Sequence, residues 1–326
     1  VIVPSYWAES KQQIKPDKRR LTIRRFGWSD ESQAHAQQHA DERLAAAITE
    51  IMAGADELIR EPKVAYNGAD GLPIREEIIA RRDDAVLTRN AYGALCLNTP
   101  DVLFADVDAT PLRDGCWVYL YSFGLYVAMY VALVWKFPDA RSLWLFLLGG
   151  IVVITIVGSA WHWLLNRFTV PPKDAARNQI EKFAAKHPDW SMRLYETPNG
   201  WRVLVTHATF DPRGEAVRAF FTAIGCDPIY VRMCFNQNCF RARVSPKPWR
   251  VGISDHMRPR PGVWPVSKER MPDRKKWVQR YERAAENFSS CRFVDTLGNA
   301  RACNEANLLM RWHDELAKAQ AQLPIA

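Results

Sequence analysis

The chain is poor in cysteine, and the few it has are odd in number: seven in 326 residues, scattered from Cys96 to Cys303. That excludes a disulfide framework and favours reduced, largely buried thiols in a cytosolic setting. Cys234 and Cys239 bracket four residues, a gap that can hold zinc. No second Cys/His pair with ligand spacing follows, so core or strand cysteines are the competing reading. Internal repeats and low-complexity tracts are lacking, which excludes a repeat architecture. Val1 to Pro4 is only a short apolar patch before charged sequence, so no secretory leader is expected. Acidic residues are in deficit, 36 against 44 lysines and arginines, giving a net charge of +8. This balance suits an anionic partner such as nucleic acid, nucleotide phosphate or acidic lipid, a generically basic surface being the alternative. With 48% hydrophobic and 25% charged residues, the chain has material for one large domain or two modest ones.

Two long stretches lack charge altogether, residues 115–135 and 142–166, separated by the short turn 136–141. A bilayer core needs about 20 apolar residues per helix, and both runs reach that. Trp117, Tyr119, Trp135, Trp144, Trp161 and Trp163 stand near the run ends, as in an interfacial aromatic belt. The expectation is therefore a two-helix transmembrane hairpin, a buried helical hairpin being the alternative. Arg113, Arg167, Lys173 and Arg177 outside the runs outweigh Lys136 and Arg141 in the turn. This bias favours cytoplasmic termini. The runs carry no acid, lysine or arginine that would line a transport pathway.

The flanks, residues 1–112 and 168–326, read as the two parts of one discontinuous cytoplasmic domain. Leu21 to Phe26 alternates apolar and basic residues as a strand does, and Ser29 or Asp30 caps a helix running to about Met52. Asn67 to Gly71 reads as a loop, Ile74 to Arg81 as a short helix, and Val102 to Asp108 as a buried strand. After Pro171-Pro172 come an amphipathic helix (Asp174 to Lys186) and a hairpin about Thr197-Pro198-Asn199-Gly200. A helix (Gly214 to Ile224), two strands (Ile229 to Met233, Cys239 to Val244) and two late helices (Trp277 to Phe288, Glu305 to Ala321) complete the order. The fold class expected is an α+β (mixed α/β) soluble body with the transmembrane hairpin inserted in it.

Asp106 and Asp108 stand two apart on a strand, so both carboxylates face the same way. Like charges this close repel unless a cation sits between them, and paired carboxylates are one way Mg²⁺ is held for phosphoryl transfer. Two acids in a plain loop are the competing reading. A second constellation is basic: region 232–283 includes Arg241, Arg243, Lys247 and Arg250, interleaved with Trp249, Trp264, Trp277 and Tyr281. Arginine forks beside aromatics suit phosphate clamping and base stacking. The same charge could instead face anionic lipid, dock an acidic protein partner, or merely be solvated.

In order, Phe-Ala-Asp106-Val-Asp108, Tyr195-Glu-Thr-Pro-Asn-Gly200-Trp-Arg202-Val, Asp227 and Phe240-Arg241-Ala-Arg243-Val-Ser-Pro-Lys247 resemble the core of archaeo-eukaryotic-type primases and primase-polymerases. The resemblance implies metal-dependent nucleotidyl transfer, with Asp106, Asp108 and Asp227 holding Mg²⁺ or Mn²⁺. It also implies that Arg202 touches nucleotide phosphate, and that Arg241, Arg243 and Lys247 line the triphosphate or nucleic-acid path. The family usually carries histidine where Arg202 stands, and Asp295 competes with Asp227 as the third acid. Arg-Arg-Phe-Gly-Trp-Ser, Tyr-Asn-Gly-Ala-Asp-Gly and Pro-Lys-Pro-Trp-Arg further resemble an uncharacterised bacterial membrane protein family, which implies no activity. With the charge bias about the runs, this bacterial resemblance makes the expected location the bacterial inner (cytoplasmic) membrane, both termini cytoplasmic.

Overall fold

A computed structural model describes residues 3–15, 20–54, 72–109, 170–260, 262 and 264–326, with scattered residues between 121 and 163. Two compact units result: Val1–Val107 with Ile180–Ala326, and Asp108–Gln179. In the first, strands β1 (Tyr6–Ile14) and β2 (Leu21–Ser29) pair antiparallel and pack on helix α1 (Gln33–Met52). Ser32 caps α1, its hydroxyl accepting from the His35 N–H, and Ala36, Ala40, Leu44 and Ala47 are buried. Gly27 lets α1 approach β2, because a Cβ there would stand 2.2 Å from the Ala36 carbonyl oxygen.

Two four-stranded sheets form the rest of this unit. One has the order β10 (Arg292–Gly298), β7 (Ser191–Thr197), β8 (Gly200–Val205), β6 (Phe104–Asp108). The other has the order β3 (Glu77–Arg82), β4 (Ala85–Arg89), β5 (Leu95–Thr99), β9 (Phe240–Arg243), antiparallel throughout. The hairpin at Pro198-Asn199 forms as its turn residues demand, with Thr197 opposite Gly200. Helices α2 (Pro172–Lys186), α3 (Glu215–Ile224), α4 (Pro228–Gln237), α5 (Met271–Ala285) and α6 (Asn304–Ala317) complete the described elements. Val217, Phe220, Phe221 and Ile224 form the buried face of α3, and Phe183 of α2 meets Phe220 edge to face at 5.0 Å.

The two sheets meet along the edges of β6 and β9 through side chains. Tyr230 donates its hydroxyl to the Phe104 carbonyl at 2.9 Å and accepts from the Arg241 N–H at 3.4 Å. Arg202 bonds both the Asp106 carboxylate and the Arg243 carbonyl. The Asp106 carbonyl receives the Asp227 N–H at 2.9 Å and the Cys226 thiol at 3.2 Å. The edge groups a neighbouring strand would have satisfied are thus met by side chains and by the entry to α4.

The mixed α/β body therefore forms, but the inserted transmembrane hairpin of the expected fold class is corrected. Described residues inside the two runs, such as 126–128 and 158–160, are helical. Among the described residues, however, no helix is long and apolar enough to cross a membrane. The remainder of 115–135 and 142–166, and the expected loop Asn67 to Gly71, lie outside the described residues. Two smaller corrections concern element type. Ile74 to Arg81 contributes strand β3 rather than a helix. Ile229 to Met233 lies within α4 rather than a strand, because Asp227 caps the Ile229 and Tyr230 N–H groups and Pro228 opens the helix.

Candidate functional site

Both aspartates of the paired motif end β6, with Asp106 partly exposed and Asp108 exposed. Arg202 on β8 is 2% exposed and grips Asp106 with two bonds, Nε to Oδ1 at 2.8 Å and Nη2 to Oδ2 at 3.2 Å. Burial opposes the guanidinium charge, but attraction and hydrogen bonds from Asp106 carry its pKa above the ordinary value. Arg202 thus points into the protein, toward Asp106, and is not presented to a phosphate. The Asp227 carboxylate caps α4, Oδ1 accepting from Ile229 at 3.1 Å and Oδ2 from Tyr230 at 3.3 Å. Asp295 is exposed on β10, at the opposite edge of that sheet from β6. Asp106 and Asp227 are neighbours through the backbone, the Asp227 N–H donating to the Asp106 carbonyl at 2.9 Å, but each carboxylate is engaged, one by Arg202 and the other by the first turn of α4. Among the described residues, no group of three or more histidine, cysteine, aspartate or glutamate side chains could hold a metal ion.

The basic residues divide into two sets. Arg241 is buried and bonds both oxygens of the buried Glu76 at 2.8 and 2.7 Å. Arg274, 1% exposed, pairs with Glu77 at 2.7 Å. These are internal ion pairs, costly to break and closed to a ligand. Arg243 is half-buried, and among the described residues its Nε has no hydrogen-bond partner.

The other set, Lys247 and Arg250, is half-buried beside an exposed aromatic. Lys247 leads into a 3₁₀ turn, Pro248–Val251, closed by Gly252 at φ 82°. The turn presents Trp249, 56% exposed, with Lys247 Nζ 5.4 Å from its ring centre and the Tyr92 ring 5.5 Å away, tilted by 56°. Arg250 donates to the side-chain oxygen of Asn199, at the tip of the β7–β8 hairpin, at 2.7 Å. The loop bearing Tyr92 is fixed by Asn90, whose side chain accepts from the Tyr92 and Ala94 N–H groups. Gly93 next to it, at φ +103°, lies so close to Trp277 that a Cβ would stand 2.3 Å from that ring. Tyr92 and Asn199 escape a reading by motif, since each joins this surface from a different turn. The Ala-Tyr-Gly sequence, an aromatic held before a positive-φ glycine, is the one local signal.

A Cys–His–Asp succession lies elsewhere in the first unit, beside Phe104 and Tyr195. His313 Nε2 stands 3.9 Å from Cys291 Sγ, and His313 Nδ1 is 3.1 Å from Asp314 Oδ1. Cys291 and His313 are both 0% exposed, and burial pushes the Cys291 thiol up to about 11. A protonated thiol without access to solvent is not a nucleophile, so the three serve packing and hydrogen bonding.

No protein-family model matches the chain, and no curated protein or solved structure matches it either.

Proposed function

We propose that this chain binds single-stranded nucleic acid or nucleotides, stacking a base against the Trp249–Tyr92 surface while Lys247 and Arg250 face the phosphates. The observation that carries this reading is the exposed indole of Trp249 with an ammonium 5.4 Å from its ring and a second aromatic beside it. A large exposed ring beside an ammonium loses little on stacking and gains about 1–3 kcal/mol per base. The net charge of +8 adds long-range attraction for a polyanion. Metal-dependent nucleotidyl transfer forms no part of the proposal, because Asp106 is paired with Arg202 and Asp227 caps a helix.

The test is fluorescence anisotropy of a labelled oligothymidylate titrated with the full chain. Binding is expected at about 50 mM salt and should weaken steeply toward about 200 mM. Trp249→Ala should reduce affinity by about tenfold, within the stacking range. Absence of binding at low salt, or equal affinity of the Trp249→Ala variant, overturns the proposal.

A further inference from the structure

A groove of 310 Å³ lies on the first unit between the turn joining β3 to β4 and the face of α6. Its floor is apolar: Ala85, Val102, Leu309 and Trp312 are buried there, and Leu308 stands 59% exposed at the wall. Its rim is acidic. Asp83, Asp84, Asp101, Glu305 and Glu315 line it, against Arg82 and Arg311. Arg82 is itself engaged, 3.5 Å from Glu315 and 4.8 Å from the Trp312 ring centre. A local excess of acids on a chain of net charge +8 means that charge is segregated by surface. None of these residues belongs to the Trp249 surface.

We infer that this groove docks a basic peptide segment of a protein partner, one apolar side chain on the floor and flanking lysines or arginines on the rim. An anion is repelled by the rim. A polar ligand leaves Leu308 uncovered. A peptide that alternates an apolar anchor with cations satisfies both surfaces, through burial at the centre and opposite charge around it. The proposal is independent of nucleic-acid binding.

The probe is a fluorescein-labelled peptide, Lys-Arg-Gly-Leu-Gly-Arg-Lys, titrated with the full chain and followed by anisotropy. Saturable binding is expected. It should weaken about tenfold or more when leucine is replaced by alanine in the peptide, and likewise when its cations are replaced by glutamate. On the protein, Asp83→Asn with Glu305→Gln should give a similar loss. Asparagine tolerates the left-handed backbone of Asp83, at φ 50°, so this variant keeps the turn. Leu308→Ser, at an exposed position, tests the apolar contact separately, and Trp249→Ala should leave peptide binding unchanged. Binding that ignores the leucine, or that survives both groove variants, overturns the inference. So does concentration-dependent self-association abolished by Asp83→Asn with Glu305→Gln, which assigns the groove to a second copy of the chain.

Discussion

Asp106 and Arg202 come from strands brought together 96 residues apart in sequence and are joined by two hydrogen bonds of 2.8 and 3.2 Å. The arginine is 2% exposed and the aspartate side chain 32% exposed, so the pair straddles the boundary between interior and solvent. The guanidinium also reaches the Arg243 carbonyl at 2.8 Å, so one side chain ties together the two sheets.

The first prediction concerns this pair. Asp106→Asn leaves a buried guanidinium without its counter-charge and should cost about 3–5 kcal/mol of stability. Arg202→Met should cost less, because the orphaned carboxylate of Asp106 can still reach water. The double variant should recover part of the sum, giving a coupling energy of about 1–3 kcal/mol in urea denaturation. Near-zero coupling would show that the pair does not contribute as a unit.

Tyr230 gives a second, smaller effect. Its hydroxyl serves the Phe104 carbonyl and the Arg241 N–H at once, both buried. Tyr230→Phe keeps the ring and removes only that oxygen, leaving two backbone groups unmet. A loss of about 1–3 kcal/mol is expected, seen as a lower denaturant midpoint with an unchanged m-value.

The third prediction is a pH dependence. Burial is the largest influence on His313 and holds its pKa below the ordinary 6.5, with Arg202 adding to the shift and Asp314 opposing it. The unfolded chain therefore binds a proton below pH 6.5 that the native imidazole resists. Stability from this group is complete above 6.5 and falls as pH drops from there toward the native value, by at most about 1.4 kcal/mol per pH unit. Asp314, also shifted downward, acts only at lower pH, below its ordinary 3.8. His313→Asn should flatten the stability profile below about pH 6.5, measured by urea denaturation at descending pH. An unchanged slope would refute the assignment.

What could be read from the sequence was local. The α1 helix follows from its apolar spacing, the β7–β8 hairpin from Asn199-Gly200, and β6 from a run of buried residues. The apolar alternation of Ile229 to Met233 misleads as to element type, although Asp227-Pro228 marks a helix start. Strand β10 gives no strong signal because it is an edge strand, largely exposed along its length. The site was hardest to read. Arg241 and Arg274 look like surface cations until their partners Glu76 and Glu77 are seen, 165 and 197 residues away. Nothing local distinguishes them from Lys247 and Arg250.

The side-chain junction between β6 and β9 also bears on how the molecule behaves among its own kind. An unmet strand edge is a template on which another chain can extend a sheet, and proteins block such edges in several ways. Here each sheet turns one of its edges toward the other, and Tyr230, Arg202 and the entry to α4 fill the gap. Neither β6 nor β9 is left to recruit a strand from a neighbour. Substitutions that loosen this junction would therefore lower solubility as well as stability, with aggregation seeded at two edges that the intact fold keeps closed.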